Sequence, residues 1–274
     1  MKQKLLFLIL LLSCCTWVQD IQGQTLSAGD IAMVGYHTDV DDGFTFIALT
    51  DIPASEVIYF TDKGWKAEFA TWYGNTEDHI VWTAPGGGLP LGTIVSIIET
   101  ASDTFTVTQG TAVLSGLDTG FSLLGGDSIL AYQSSSGAEP ASPTFIAGIY
   151  GDDNYLHTSG CDDAGGWHSC FTCTHISGDC TSTSTSTSGI PAGLTNGVNA
   201  IALFPSLPEQ DNAKYTGTFT GSASTIRALI NDPANWTFSD SPVNIQASAY
   251  PATSITPDAP ACIMTAAITS QTNI

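Results

Sequence analysis

Short apolar or alternating runs recur along most of the chain, and each is bounded by Gly, Pro, Asp or Ser. Runs of this length and spacing predict β-strands. In two of them, Phe44 to Leu49 and Val57 to Phe60, apolar residues lie on both faces of the strand. We therefore place these strands in the middle of a sheet that is covered on both faces, as in two packed sheets. The predicted strands are Ile31 to Tyr36, Phe44 to Leu49, Val57 to Thr61, Ile80 to Thr83, Ile94 to Ile98, Phe105 to Val107, Ser128 to Tyr132, Phe145 to Tyr150, Asn199 to Phe204 and Tyr215 to Phe219.

One segment breaks this pattern. From Ser224 to Asn231 the apolar residues Ile226, Leu229 and Ile230 recur at helical spacing after a serine that can cap a helix. Pro233 ends the run, because proline does not continue a helix. We therefore expect one short helix in an otherwise all-β chain.

The N-terminus has the pattern of an export signal. Lys2 and Lys4 precede an apolar run from Leu5 to Leu12 that is too short to span a membrane, and polar residues follow it. We expect cleavage near Gly23 and a mature chain that starts at Gln24. The protein is then secreted or exposed on the outer cell surface.

A second interpretation of this segment is a lipoprotein signal, in which Cys14 becomes the lipidated first residue, but Leu11 and Leu12 fit that recognition poorly. No later stretch approaches the ~18 uninterrupted apolar residues of a spanning helix. We therefore expect no transmembrane span.

The chain is strongly acidic, with 26 Asp and Glu residues against 6 Lys and Arg and a formal net charge of −20. A nucleic acid would be repelled, and the few scattered cations do not form a basic groove, so nucleic-acid binding is excluded. Hydrophobic residues still make up 43% of the chain, and the mean hydropathy is +0.15. These values are typical of a packed domain rather than a disordered acidic tail.

The composition changes at Pro251, where a proline-rich stretch begins that also contains Pro257 and Pro260. It predicts an extended linker, after which Cys262 to Ile274 begins a new apolar, β-like segment. The predicted organisation is a signal peptide at residues 1–23, a β-sandwich domain at residues 24–250 with a loop insertion at residues 152–192, and a linker with the start of a further repeat at residues 251–274.

A series of ordered motifs points to a known family. The motifs are Gly29-Asp-Ile-Ala, Asp42-Gly-Phe-Thr-Phe-Ile-Ala-Leu, Ile58-Tyr-Phe-Thr-Asp-Lys-Gly-Trp65, Val81-Trp-Thr-Ala-Pro, Leu91-Gly-Thr and Gly126-Asp-Ser-Ile. In this order they resemble the lamin-tail class of immunoglobulin-like sandwiches, in the version found at the N-terminus of large surface proteins of Bacteroidetes. The resemblance covers residues 26–150 and extends loosely to about residue 245. It implies an immunoglobulin-like two-sheet β-sandwich and brings no catalytic residues with it.

The last segment carries a second resemblance. Cys262 to Ile274 is similar to the opening of an SprB-type repeat, which is found in adhesins that move on the gliding machinery and leave the cell by type IX secretion. This implies that the sandwich is the N-terminal module of a larger adhesin and contacts further repeats of the same chain.

Cysteine and histidine are concentrated between residues 157 and 180. Cys170 and Cys173 have the spacing of a zinc-binding thiolate pair, with other ligands available nearby. We favour disulfides instead, because an exported protein meets oxidising conditions, and all three pairings of four cysteines stay open. The residues are Cys161, Cys170, Cys173 and Cys180, with His157, His168 and His175.

Loop carboxylates form a candidate calcium site. Asp39, Asp41 and Asp42 precede Gly43 in the first inter-strand loop, and carboxylate oxygens are the ligands that calcium prefers. Asp152 and Asp153 follow a predicted strand end and are expected at the same end of the sandwich. We favour the simpler interpretation, in which these residues only form turns. No other cofactor is expected.

Aromatic residues in loops are candidates for ligand binding. Trp65, Trp82, Trp167 and Trp236 are expected to fill the core, as most large aromatic residues do. We expect a different role for Trp72 and Tyr73, which lie in a connection rich in Gly and polar residues and are predicted to form an exposed ligand-binding surface.

The sequence contains no nucleophile elbow, metal-protease helix or phosphate loop. The leading hypothesis is therefore a non-enzymatic adhesion module that binds an extracellular polymer, glycan or protein surface through its loop end. The alternatives are an extracellular hydrolase domain, which would need a His or carboxylate cluster assembled by the fold, and a purely structural spacer.

Overall fold

The computed structural model describes residues 26–39, 41–73, 77–118, 120–153, 162–163, 166–168, 188–204 and 208–259. The predicted signal peptide, the four clustered cysteines and the predicted repeat from Cys262 lie outside these residues.

The regular secondary structure in the described part of the chain is mainly β. One α-helix, α1 (Ala223–Ile230), and three short 3-10 helices, Ala67–Phe69, Pro233–Asn235 and Ala247–Ala249, interrupt it. The strands are β1 (Ile31–His37), β2 (Gly43–Ala48), β3 (Val57–Thr61), β4 (Trp65–Lys66), β5 (Thr71–Trp72), β6 (His79–Thr83), β7 (Ile94–Ala101), β8 (Thr104–Val107), β9 (Thr111–Leu114), β10 (Ser128–Gln133), β11 (Thr144–Asp153), β12 (Asp162–Asp163), β13 (Trp167–His168), β14 (Ala200–Phe204), β15 (Asn212–Tyr215), β16 (Thr220–Ser222), β17 (Trp236–Ser239) and β18 (Ser254–Thr256).

Two six-stranded sheets dominate the architecture. The first has the order β17-β15-β1-β2-β7-β8 and the second the order β14-β11-β10-β3-β6-β9. All neighbours in them are antiparallel except β11 and β14, which pair in parallel. The all-β, two-sheet prediction is confirmed, and so is every predicted strand except the last.

Aromatic rings join the two sheets. Phe44 and Phe46 of β2 lie 4.8 and 5.3 Å from the ring of Phe60 on β3, and Phe46 also meets Trp82 of β6 edge to face at 5.3 Å. All four side chains are fully buried. Rings at these separations and angles add stabilisation to the area that they bury.

The outer faces of both sheets are also covered. Over β2, the Ile245 carbonyl accepts hydrogen bonds from the Thr45 hydroxyl at 2.5 Å and the Ser96 hydroxyl at 3.2 Å. On the second sheet, Leu130 and Tyr132 point away from the inter-sheet core into a separate apolar cluster. The prediction that β2 is covered on both faces is therefore confirmed.

Part of the predicted loop insertion packs against the second sheet. Trp167 is fully buried and its ring stacks on Tyr150 at 5.2 Å. The Trp167 indole N–H donates to the Asn196 side-chain oxygen at 3.2 Å. Trp167 therefore covers the outer face of this sheet.

The predicted strand from Tyr215 to Phe219 is wrong. The strand is β15, which ends at Tyr215, and the Tyr215 hydroxyl donates to the Thr218 carbonyl at 2.9 Å across a turn. Tyr215 and Phe219 are both buried because the turn brings their rings within 5.1 Å of each other. Tyr215 and Phe219 are an even number of residues apart, so their burial gives the same sequence pattern as a strand with one buried face.

The predicted helix is confirmed and begins one residue earlier than expected. Its N-cap is Ser222, whose hydroxyl accepts the Thr225 N–H at 3.3 Å. Ile226 and Ile230 are fully buried against the core, and Leu229 is partly buried. Further along the chain, β18 pairs in parallel with β16, so this strand lies within the segment that we predicted as a linker.

Replacement of Phe60 by alanine tests the inter-sheet core. The Phe60→Ala variant should lose about 3–5 kcal/mol of unfolding free energy, because the ring is fully buried between the sheets. Val113→Ala on β9 is the control, since 61% of Val113 is exposed and its loss should cost about 1 kcal/mol or less. Urea unfolding followed by tryptophan fluorescence measures both variants, and equal losses would contradict this account of the core.

Candidate functional site

An acidic pocket lies at the end of the first sheet where β1 leads into β2. Its volume is about 390 Å³. The β2–β7 pairing sets Gly43 opposite Ile98, and the Glu99 N–H donates to the Asp42 carbonyl at 2.7 Å. This register places the β1–β2 loop beside Glu99. The lining residues are Thr38, Asp39, Asp41, Asp42, Glu99, Thr100, Ala101, Ser102, Ser122, Leu123 and Leu124.

Local hydrogen bonds hold the acidic side of this pocket. The Asn212 amide donates to the Asp39 carboxylate at 2.5 Å, and the His37 ring nitrogen Nδ1 lies 2.9 Å from the Asp41 carbonyl oxygen. The Glu99 carboxylate accepts the Asp103 N–H at 2.6 Å. The Asp39 and Glu99 carboxylates are therefore held by hydrogen bonds, and the backbone of Asp41 is held by His37.

The loop at residues 121–124 binds three carboxylates with three successive backbone N–H groups. Ser122 N–H donates to Asp62 Oδ2 at 3.1 Å and Leu124 N–H donates to Asp127 Oδ2 at 2.7 Å. Between them, Leu123 N–H donates to Asp42 Oδ2 at 2.9 Å. Asp42 precedes β2 of the first sheet, whereas Asp62 follows β3 and Asp127 precedes β10 in the second. The loop therefore joins the ends of the two sheets.

Burial changes the acidity of these carboxyl groups. It raises the pKa of Asp42 to about 6, with the Leu123 N–H opposing the shift and the nearby Glu99 and Asp41 carboxylates adding to it. Burial also raises the pKa of Asp62 and the pKa of Asp127 well above the usual range of a carboxyl group. Burial at this end of the sandwich therefore favours the neutral, protonated form of these carboxyl groups.

The structure brings together only part of the predicted calcium site. Asp39, Asp41 and Asp42 line the pocket. Asp152 instead accepts a hydrogen bond from the Tyr150 hydroxyl at 3.1 Å and acts electrostatically on Asp127. Asp153 ends β11, and its side chain is outside the description. Among the described residues, no three Asp, Glu, His or Cys side chains form a group that could hold a metal ion.

The predicted exposure of Trp72 and Tyr73 is wrong. Only 8% of Trp72 and 2% of Tyr73 are accessible. The β4–β5 hairpin folds back over the second sheet, where the Trp72 indole N–H donates to the Pro140 carbonyl at 3.0 Å and the ring meets Trp65 edge to face at 4.9 Å. Ligand binding by these two residues stays a prediction. Trp65, Trp82, Trp167 and Trp236 are buried, as expected for core residues.

Sequence analysis missed a buried lysine network. The Lys63 ammonium lies 2.9 Å from Asp118 Oδ2 and 2.9 Å from Glu139 Oε2, and 3% of its side chain is exposed. The two carboxylates come from the segments that follow β9 and β10. Both acceptors lie far from Lys63 in the chain, so no local motif indicates this pairing.

A histidine and a tyrosine continue this network. The Tyr132 hydroxyl lies 2.8 Å from His79 Nδ1 and accepts the Glu139 N–H at 3.0 Å. Burial, together with the charge of Lys63, lowers the pKa of His79 to about 4, so the ring is neutral at pH 7. His79 is fully buried, and the network braces loops rather than presenting a base to solvent.

Comparison of the chain with protein-family models, with curated proteins and with solved structures finds no match. In the part of the chain that the structure describes, no helix is long and apolar enough to cross a membrane.

The Asp42→Asn variant tests the acidity of the pocket. A carboxyl whose folded-state pKa is raised stabilises the fold at low pH, and this contribution is lost as the pH rises through about 6. Between pH 4.5 and 7.5 the melting temperature of wild type should therefore fall relative to that of Asp42→Asn, whose amide oxygen still accepts from Leu123. The expected difference is about 2–4 °C after allowance for the partial exposure of this carboxyl. Parallel melting curves across this range would contradict the assignment.

Proposed function

We propose that this chain is an extracellular, non-enzymatic binding module whose acidic pocket binds a positively charged segment of a protein partner. The observation that carries this proposal is the convergence of Asp39, Asp41, Asp42 and Glu99 on one pocket of about 390 Å³. Carboxylates held in fixed positions attract and orient ammonium and guanidinium groups.

The charge of the whole chain supports the same ligand class. With a formal net charge of −20, the protein attracts cationic partners from a distance, and a pocket lined by one sign of charge focuses that attraction. The pocket walls also supply the hydroxyls of Thr38, Thr100 and Ser102 for hydrogen bonding. A neutral glycan would use these hydroxyls but not the excess of carboxylates.

The sequence resemblance supports the location and the class of protein. The lamin-tail-like motifs and the signal-peptide pattern fit an exported surface protein, and we extend the two-sheet architecture to an immunoglobulin-like sandwich on this basis. The module is then the N-terminal domain of a larger adhesin. A hydrolase is less well supported, because His79, whose pKa is lowered, is fully buried.

Removal of two pocket charges tests the proposal. The Asp41→Asn, Glu99→Gln double variant should bind an oligolysine peptide about tenfold more weakly than wild type, because two charge contacts of about 0.7 kcal/mol each are lost. Isothermal titration calorimetry at two salt concentrations measures the effect, and binding should weaken as salt rises.

The matched control is Asp51→Asn. Asp51 is exposed beyond the far end of β2, and an amide oxygen there can still accept the Leu91 N–H, so the variant removes a charge away from the pocket. It should bind oligolysine as wild type does. Tight binding of a neutral oligosaccharide with none of oligolysine would overturn the proposal, and so would equal weakening by the control and the double variant.

A further inference from the structure

A second, smaller pocket adjoins the acidic pocket. Its volume is about 140 Å³. Asp41 lines both pockets, so the two share one carboxylate. The other residues of the smaller pocket are His37, Ile98, Val243, Asn244, Ile245 and Gln246. A ligand that occupies the acidic pocket can therefore place a neighbouring group in this second cavity.

The two pockets lie on opposite faces of the first sheet. Ile98 lines the smaller pocket, and Glu99, the next residue of β7, lines the acidic pocket. Side chains of successive strand residues point to opposite faces. The Ser96 hydroxyl donates to the Ile245 carbonyl that covers the outer face, and Ile98 has the same parity as Ser96, so the smaller pocket also faces outward. Asp41 stands at the end of the sheet where the two pockets meet.

The smaller pocket has an apolar floor. The strand register sets Gly43 of β2 between His37 of β1 and Ile98 of β7. A Cβ at Gly43 would meet Ile98 Cδ1 at 2.7 Å, so the glycine allows the end of the Ile98 side chain to lie over β2. Ile98 and Ile245 are both buried. Such a floor suits the aliphatic part of a ligand side chain.

The rim of the smaller pocket is polar and carries a single carboxylate, that of Asp41. The exposed side chains of Asn244 and Gln246 add amide groups, and the Asn244 side-chain oxygen accepts the Gln246 N–H at 3.0 Å. The Lys214 ammonium lies near this rim, where it donates to the Asn244 and Ala249 carbonyls at 2.9 and 3.0 Å. The smaller pocket is therefore less negative than the acidic pocket, and hydrogen bonding has a larger part in what it binds.

We infer that the smaller pocket binds an arginine side chain of the cationic partner while the acidic pocket binds an adjacent cation, an inference that rests on the proposed function. An arginine has an aliphatic stem for the floor at Ile98 and a planar head with several N–H donors for the Asp41 carboxylate and the Gln246 amide oxygen. Its guanidinium is more weakly hydrated than an ammonium, so it leaves water at a smaller cost. A lysine head is a compact charge that a single carboxylate matches only in part.

Two peptides of equal charge test the inference on the full chain. One is hexalysine, and the other is the same peptide with one central lysine replaced by arginine. Wild type should bind the arginine peptide about fivefold more tightly, because the guanidinium gains hydrogen bonds that an ammonium does not make. Isothermal titration calorimetry of both peptides gives the ratio of their dissociation constants, which measures the arginine preference.

A substitution at the rim locates the arginine. Gln246→Ala removes an acceptor of the smaller pocket and should reduce the arginine preference to about twofold or less. Gln246 is exposed, so this variant should keep the melting temperature of wild type. The matched control is Ser248→Ala, which is exposed in the same segment but does not line the pocket, and it should keep the preference of wild type.

The outcomes separate this inference from the proposed function. Equal affinity of wild type for the two peptides would overturn the inference and leave the proposed function standing. A preference that Gln246→Ala retains in full, or that Ser248→Ala loses to the same extent, would also overturn it. Absence of binding by both peptides would overturn the proposed function and the inference together.

Discussion

Three consecutive peptide N–H groups, from Ser122 to Leu124, hold the acidic end together by binding carboxylates that arrive from both sheets. All three hydrogen bonds are partly buried, and low local polarity strengthens a hydrogen bond. Without the loop, these three carboxyl groups would lose their peptide donors in a region of low dielectric. The positions of the pocket and of the buried carboxylates therefore depend on the path of this loop.

The loop is itself anchored by apolar side chains. Phe121 and Leu123 are 3% and 1% exposed and belong to the inter-sheet core, and the Phe121 ring lies 6.2 Å from that of Phe44. Hydrophobic packing thus fixes the backbone, and the backbone in turn fixes the charges. The energy that orders the site comes from the same core that joins the sheets.

The fold could be predicted from the sequence to a greater extent than the site. Alternation and turn residues identify strands because burial of one or both sheet faces is a local pattern. The pattern failed at Tyr215 and Phe219, where a turn buries two aromatic rings at strand-like spacing. The pattern also failed at Trp72. The hairpin that contains Trp72 packs on the outer face of the second sheet, and the sequence near Trp72 does not indicate this long-range contact.

The site was only partly predictable, because its members are far apart in the chain. Asp39, Asp41 and Asp42 lie close together in the sequence, so they could be predicted as a group. Asp62 and Asp127 follow or precede strands as single carboxylates, and in isolation each looks like an ordinary turn residue. Only the tertiary arrangement shows that both are buried.

The hydrogen-bond donors at the acidic end are peptide N–H groups of the loop at residues 121–124. Binding of the carboxyl groups therefore depends little on the side chains of that loop. The side chains of Ser122 and Leu124 are exposed, so substitutions there keep the N–H donors, whereas proline removes one. Homologous chains can therefore diverge at these two positions and keep the same anchoring. Variation there would say little about whether the function is retained.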